Sequence, residues 1–139
     1  MIETINKSWK WTGKTAKEIV AINDFGNIIF TTADGEYFRI CPEELSCNLI
    51  ARTPDDYDEL QKDPDFIEDW EISEFVKLAT ETLGKLNEGE KYCLKLPAVF
   101  LGEYSAQNIG KAPHDKLIAF AGEMAEKIKD LPDGTELKL

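Results

Sequence analysis

Tyr92-Cys93-Leu94-Lys95-Leu96-Pro97-Ala98-Val99-Phe100-Leu101-Gly102-Glu103-Tyr104-Ser105-Ala106-Gln107-Asn108-Ile109 is the least polar run of an acidic chain. Tyr92, Leu94 and Leu96 fall on one side at period two, which is a strand pattern. Pro97 has no N–H to give a ladder, so it ends the strand or confines it to an edge. Ala98 to Leu101 continues apolar, and Gly102-Glu103-Tyr104-Ser105 closes the run with turn residues. A strand this apolar, followed by a helical segment, is expected in the middle of a sheet with the rest of the chain packed around it.

Downstream, Asn108 to Lys111 reads as a short strand before Ala112-Pro113. His114 to Lys129 is the clearest helix, with Leu117, Ala121, Met124, Ala125 and Ile128 on one stripe. Glu123 and Lys127 form an i,i+4 pair in the favourable order. Leu131-Pro132-Asp133-Gly134 predicts a turn and Thr135 to Leu139 a terminal strand. Upstream, Ile72, Val76, Ala79 and Leu83 recur at helical spacing, Ser73 caps that helix or lies within it, and Gly84 stops it.

In the first third, Thr15-Ala16-Lys17-Glu18 has capping-box spacing before Ile19, Val20 and Ile22, and a short helix is expected. The β-branched residues leave a strand as the alternative. Asn27 to Thr32 is a strand, Asp34-Gly35 a strong hairpin signal, and Glu36 to Cys41 the returning strand that Pro42 ends. Cys47 to Ala51 adds a third strand. Before all this stand Trp9 and Trp11 among Lys7, Lys10 and Lys14. Large aromatics are mostly buried, so the indoles are expected to cover an edge of the core, with a ligand-stacking arm as the alternative.

Between Pro54 and Glu74 the composition shifts. Asp55, Asp56, Asp58, Glu59, Asp63, Asp65, Glu68, Asp69, Glu71 and Glu74 meet a single base, Lys62. Tyr57, Leu60, Phe66, Ile67, Trp70 and Ile72 are interspersed, which a disordered acidic tail would lack. Two helical pieces broken near Asp63-Pro64 are expected, with apolar faces inward and acids outward. A solvated face is the ordinary role for such acids, and their density adds a surface for a basic partner. Calcium binding would need a ligand-dense loop with a glycine at its sharp turn, which the segment does not have.

The totals set the class. A chain of 139 residues, 42% hydrophobic and 31% charged, suits one folded domain. Sixteen Lys and Arg against 27 Asp and Glu give a formal charge of −11, a field that repels phosphate backbones and anionic lipid. Nucleic-acid and membrane partners are therefore not expected. There is neither a membrane-length apolar run nor a signal-peptide pattern, and the expected location is the cytoplasm. Cys41, Cys47 and Cys93 are odd in number and have no CxxC spacing, which suits reduced thiols and argues against a zinc site with His114. No cofactor is expected. Phosphate-loop, GxSxG and HExxH patterns do not occur. A Cys93–His114 nucleophile pair can be drawn, but an inert thiol is the usual state of a strand cysteine.

Three stretches together resemble a bacterial family. They are Phe25-Gly26-Asn27 with Asp34-Gly35, Tyr37 and Arg39 to Cys47; Tyr92 to Pro97 with Leu101 to Asn108; and Asp130 to Gly134. They are similar to the domain that forms the C-terminal part of immunity proteins against type VI secretion DNase effectors, formerly a domain of unknown function. The likeness runs from about Ile19 to Leu139. It implies a non-catalytic protein that binds a toxin in the cytoplasm and blocks it. In larger members this domain follows another that the present sequence lacks, so a different toxin or an orphan role is also open. The resemblance brings no contact residues with it.

The expected fold is α+β, one domain with an antiparallel-rich sheet and helices packed on it. Within residues 1–139 it divides into an arm (1–14), a helix and hairpin region (15–51), an acidic helical region (52–84), and a strand, helix and terminal strand (85–139). The expected function is neutralisation of a cognate toxin with a basic surface. Contacts are expected from Asp55, Asp56, Asp58, Glu59, Asp65, Glu68 and Asp69; the turn with Glu103 and Tyr104 is a second candidate contact, with structural support of the sheet as its ordinary role. A regulatory or scaffold module without a toxin is the alternative, and an enzyme on a small cationic substrate a more distant one.

Overall fold

The computed structural model describes residues 1–131, so the expected terminal strand and all but Leu131 of the turn before it lie outside the described residues. The chain is α+β. Strands β1 (Glu18–Ile22), β2 (Ile28–Thr31), β3 (Tyr37–Cys41) and β4 (Ser46–Ala51) form an antiparallel meander in sequence order. Asp34-Gly35 turns β2 into β3, with Gly35 at φ 81°, a conformation that glycine adopts without a Cβ penalty.

The sheet is covered on both faces, and the alternation of β2 shows why. Ile28 and Phe30 meet Phe38 and Ile40 under helices α1 (Ile2–Ser8) and α5 (His114–Ile128), where Ile5, Trp9, Ile118, Ala121 and Ala125 complete the core. Ile29 points the other way, to Ala51 and Tyr57, under α2 (Pro54–Leu60) and α3 (Pro64–Glu71). Ile28, Ile29 and Phe30 are all essentially inaccessible. Burying each such side chain contributes about 1.5–3 kcal/mol, which makes β2 the organising strand.

The Tyr92 stretch has a different place from the one expected. Among the described residues, strand β5 (Glu90–Leu94) pairs only with β6 (Ile109–Pro113), with Tyr92 opposite Lys111 and Leu94 opposite Ile109. Its other edge is met by a loop, since Tyr92 N–H donates to the Asp24 carbonyl at 2.9 Å. The run is apolar because Tyr92 and Leu94 pack with Phe25 and Ala79, beside the half-buried Phe75 and Val76 of α4 (Ser73–Leu83). A helix and a loop bury a strand as well as two flanking strands do, and apolarity does not distinguish these cases.

Residues 18–22 form strand β1 and not a helix. No capping-box bond forms. Instead the Asn6 side chain holds both backbone groups of Ala16, at 2.7 and 3.2 Å, and Lys17 N–H extends the ladder to the Thr31 carbonyl. The β-branched Ile19, Val20 and Ile22 favour the extended state once β2 offers an edge.

The first 14 residues are likewise no arm. Helix α1 and a 3-10 turn at Lys10–Thr12 lie against α5. Trp9 is buried and donates to the Ile118 carbonyl at 3.1 Å, and Trp11 donates to the Gly122 carbonyl at 3.0 Å. The indoles cover the core, as expected. A Cβ at Gly122 would stand 2.5 Å from the Ser8 carbonyl oxygen, so glycine sets the close approach of α1 to α5. In α5 the apolar stripe is rotated from the expected one, with Ile118 fully buried and Leu117 half-buried.

Candidate partner-binding surface

The two acidic helices stand where the sequence puts them, broken at Asp63-Pro64, and each has a local reason to start there. Thr53 Oγ1 accepts from the Asp56 N–H at 3.1 Å and Asp63 Oδ1 from the Asp65 N–H at 3.0 Å, each followed by proline in the first turn. Asp55, Asp56 and Asp65 lie in first turns, where negative charge complements the helix dipole.

A buried polar network fastens α3 to the sheet. Glu43, in the turn after β3, is 4% exposed, and both its oxygens accept from Asn27 Nδ2 at 3.0 Å. Its Oε2 also accepts from Cys41 Sγ at 2.9 Å. Asn27 Oδ1 in turn accepts from Arg39 Nε at 3.0 Å and Nη2 at 2.9 Å. The Arg39 guanidinium then reaches out of the sheet to the Asp69 carboxylate and lies over the Trp70 ring, 5.2 Å from its centre. Asn23 completes the joint by donating to the Trp70 carbonyl at 2.9 Å. Burial raises the Glu43 carboxyl above its ordinary range, against the lowering effect of its hydrogen bonds and Arg39. The Cys41 thiol is raised by burial first and by the Glu43 charge second.

Beside this network lies a groove of about 690 Å³ between the α3–α4 joint and Tyr104. A smaller cleft of about 280 Å³, lined by Arg39, Cys41 and Glu43, shares Glu44, Asp69, Ile72 and Tyr104 with it. The joint itself is strained. Ile72 closes α3 and opens α4 at φ 46°, a left-handed conformation that a β-branched residue rarely adopts and that costs on the order of 1–3 kcal/mol. Its side chain packs with Phe75 toward Phe25 and Ala79, which holds it there.

The opposite wall comes from the loop after β5. Asn108 ties that loop together, its side chain bonding Leu96 N–H and carbonyl and the Glu103 carbonyl, each at 2.9 Å. At Gly102 a Cβ would fall 1.7 Å from the Leu96 carbonyl oxygen, so only glycine fits. Tyr104 is thereby set against Phe75, ring centres 5.0 Å apart, and its hydroxyl donates to Glu44 at 3.0 Å. Burial, then the neighbouring Glu43 charge, raises the Tyr104 phenol and keeps it a donor.

The structure brings together only part of the expected contact set. Glu68, Asp69 and Tyr104 line the groove. Asp55, Asp56, Asp58 and Glu59 are exposed on α2, outside the groove, as is Asp65 at the start of α3. Glu59 pairs with Lys62 at 3.2 Å and Asp69 with Arg39. Glu103 is exposed and contributes its carbonyl to the loop. Glu44, Glu71, Ile72, Glu74 and Phe75 complete the groove beyond the expected contact set. Asn27, Arg39, Cys41 and Glu43, well separated from α3 in sequence, form one bonded set beside it.

The thiols and the histidine do not form a site. Burial raises the Cys93 thiol, while His114, whose Nε2 lies 2.9 Å from the Gly26 carbonyl, is shifted down by burial and is neutral. Among the described residues no cavity is lined by both. No cluster of three His, Cys, Asp or Glu among the described residues is arranged to hold a metal ion. Nor is any described helix long and apolar enough to cross a membrane.

A comparison with curated proteins gave no match. The model of the family described as T6SS immunity protein Tdi1, C-terminal, matches residues 51–125, more than half of the chain. That span holds α2, α3, α4, the β5–β6 ribbon and most of α5, and thus most of the groove. Immunity is a non-catalytic role, so the chain is not an enzyme. With its acidic helices, its groove and this match, the chain belongs to the family of the C-terminal domain of the type VI secretion immunity protein Tdi1.

Proposed function

We propose that the chain neutralises a nuclease effector in the cytoplasm by laying its acidic surface over the effector's basic, DNA-holding cleft. The observation that carries this reading is the state of the acids between Pro54 and Glu74. All ten are exposed, and among the described residues only Glu59 and Asp69 are in ion pairs. Among the described residues the other eight are in no ion pair, and all but the helix-capping Asp63 present their carboxylates to a partner. A basic cleft built for phosphates attracts such a surface, and the same field speeds encounter, which suits a protein that must capture a toxin before it acts.

The test is binding to the product of the adjacent gene. The two proteins should co-purify, and the chain should rescue a host that expresses that product. Neutralising Asp55, Asp56, Asp58, Glu59, Asp65, Glu68 and Asp69 together should slow association and flatten its dependence on salt. An unchanged association rate and salt slope would sink the electrostatic reading, and the absence of binding would sink the partner.

A further inference from the structure

We propose that the groove between the α3–α4 joint and Tyr104 receives an arginine side chain, flanked by apolar residues, from the protein that this chain neutralises. The proposal rests on the neutralising reading and adds to it a place and a chemistry. Of the eleven residues that line the groove, five are carboxylates and none is a base. Glu68, Glu71 and Glu74 are exposed and, among the described residues, in no ion pair. The walls between them are apolar: Ile67 and Phe75 on the helices, and the Tyr104 ring across from them. An apolar slot with an acidic rim matches a cation on an apolar stem whose planar head can stack on a ring and take two carboxylate bonds.

The molecule already contains a guanidinium held in this way. On the sheet side of α3, Arg39 lies over the Trp70 ring and pairs with Asp69, which also lines the groove. The groove repeats these components, an aromatic wall and helix carboxylates, and among the described residues no cation lines it. A volume of about 690 Å³ exceeds one side chain and admits its neighbours in sequence. A second copy of this chain is a poor occupant, because a formal charge of −11 repels its own kind. Nucleic acid is excluded by the same field.

The experiment uses the full chain, isotopically labelled, titrated with three end-blocked tripeptides: Leu-Arg-Leu, Leu-Lys-Leu and Leu-Gln-Leu. The arginine peptide should move the amide signals of residues 67–75 and 104. It should bind about tenfold more tightly than the lysine peptide, as a planar fork does at a stacked bidentate site. The glutamine peptide should leave the spectrum unchanged. Glu71→Gln combined with Glu74→Gln, both exposed positions, should abolish the arginine response without changing the melting temperature. The same double variant should weaken binding of the adjacent-gene effector more than Asp55→Asn with Asp56→Asn does. Shifts elsewhere on the surface, or equal responses to all three peptides, overturn the groove assignment. If the wild-type chain binds the effector and the groove variant binds it equally well, the groove assignment falls and the neutralising reading stands. If the wild-type chain does not bind the effector, that reading falls, and the peptide titration alone decides the groove.

Discussion

Replacing Arg39 with methionine should uncouple the acidic helix α3 from the sheet, and the size of the effect follows from what the guanidinium touches. Its two bonds to Asn27 Oδ1 are the main loss, because Asn27 is completely buried and its oxygen would be left without a donor. Stranding a buried acceptor costs about 1–3 kcal/mol. The Trp70 contact adds about 0.5–1 kcal/mol. The Asp69 pair adds less than about 1 kcal/mol, because the Asp69 side chain is 72% exposed and water screens the attraction. These contributions share one side chain and do not simply add, so a total of about 3 kcal/mol is expected. For a domain of this size that lowers the melting temperature by roughly 10 °C. Asp69→Asn, which leaves Asn27 satisfied, should cost under about 1 kcal/mol. Urea denaturation of both variants measures the difference. Hydrogen exchange should show amides of residues 64–71 opening faster in Arg39→Met than in Asp69→Asn. Equal costs for the two variants, or a loss below about 1 kcal/mol for Arg39→Met, would refute the claim that the inner bond to Asn27, and not the outer ion pair, carries most of the stability that Arg39 supplies.

Three further outcomes follow from single contacts. Glu43 has its folded-state pKa raised above the ordinary value of 4.5, so the protonated carboxyl is favoured in the folded chain. Its stabilising contribution is fully present below that value and is lost as the pH rises through the raised one. Glu43→Gln should therefore gain stability over wild type from pH 5 to pH 8, and parallel urea midpoints across that range would contradict this. Gly102→Ala drives a Cβ into the Leu96 carbonyl and must displace the loop, costing about 1–3 kcal/mol; the Tyr104 and Phe75 ring signals should shift together, and unchanged spectra would argue against the close approach. Gly122→Ala would ordinarily favour a helix by about 1 kcal/mol, but the Ser8 backbone stands in the way, so a net loss with altered Trp9 and Trp11 fluorescence is expected, and a gain in melting temperature would count against it.

By itself the sequence determined the elements whose signals are local. Asp34-Gly35 specifies its hairpin, Asp63-Pro64 breaks the acidic segment into α2 and α3, and the spacing of apolar residues from Ser73 and from His114 yields α4 and α5. Residues 18–22 went to a strand because the choice between a capping box and β-branched residues depends on whether a neighbouring edge is present. Helix α1 carried a legible signal, with Ile2, Ile5 and Trp9 on one face, but so short a helix is stable only against α5. The Tyr92 stretch was apolar for a reason that composition does not encode. A strand buried under α4 and the Phe25 loop reads the same as one between two other strands. The site divided in the same way. Exposed carboxylates on α2 and α3 follow from amphipathic patterning alone. The chain of bonds from Glu43 through Asn27 and Arg39 to Asp69 joins residues far apart in sequence, and so does the bond from the Tyr104 hydroxyl to Glu44 at the groove. Only the folded chain brings these groups within bonding distance, because a side-chain contact between distant segments leaves no periodicity in either.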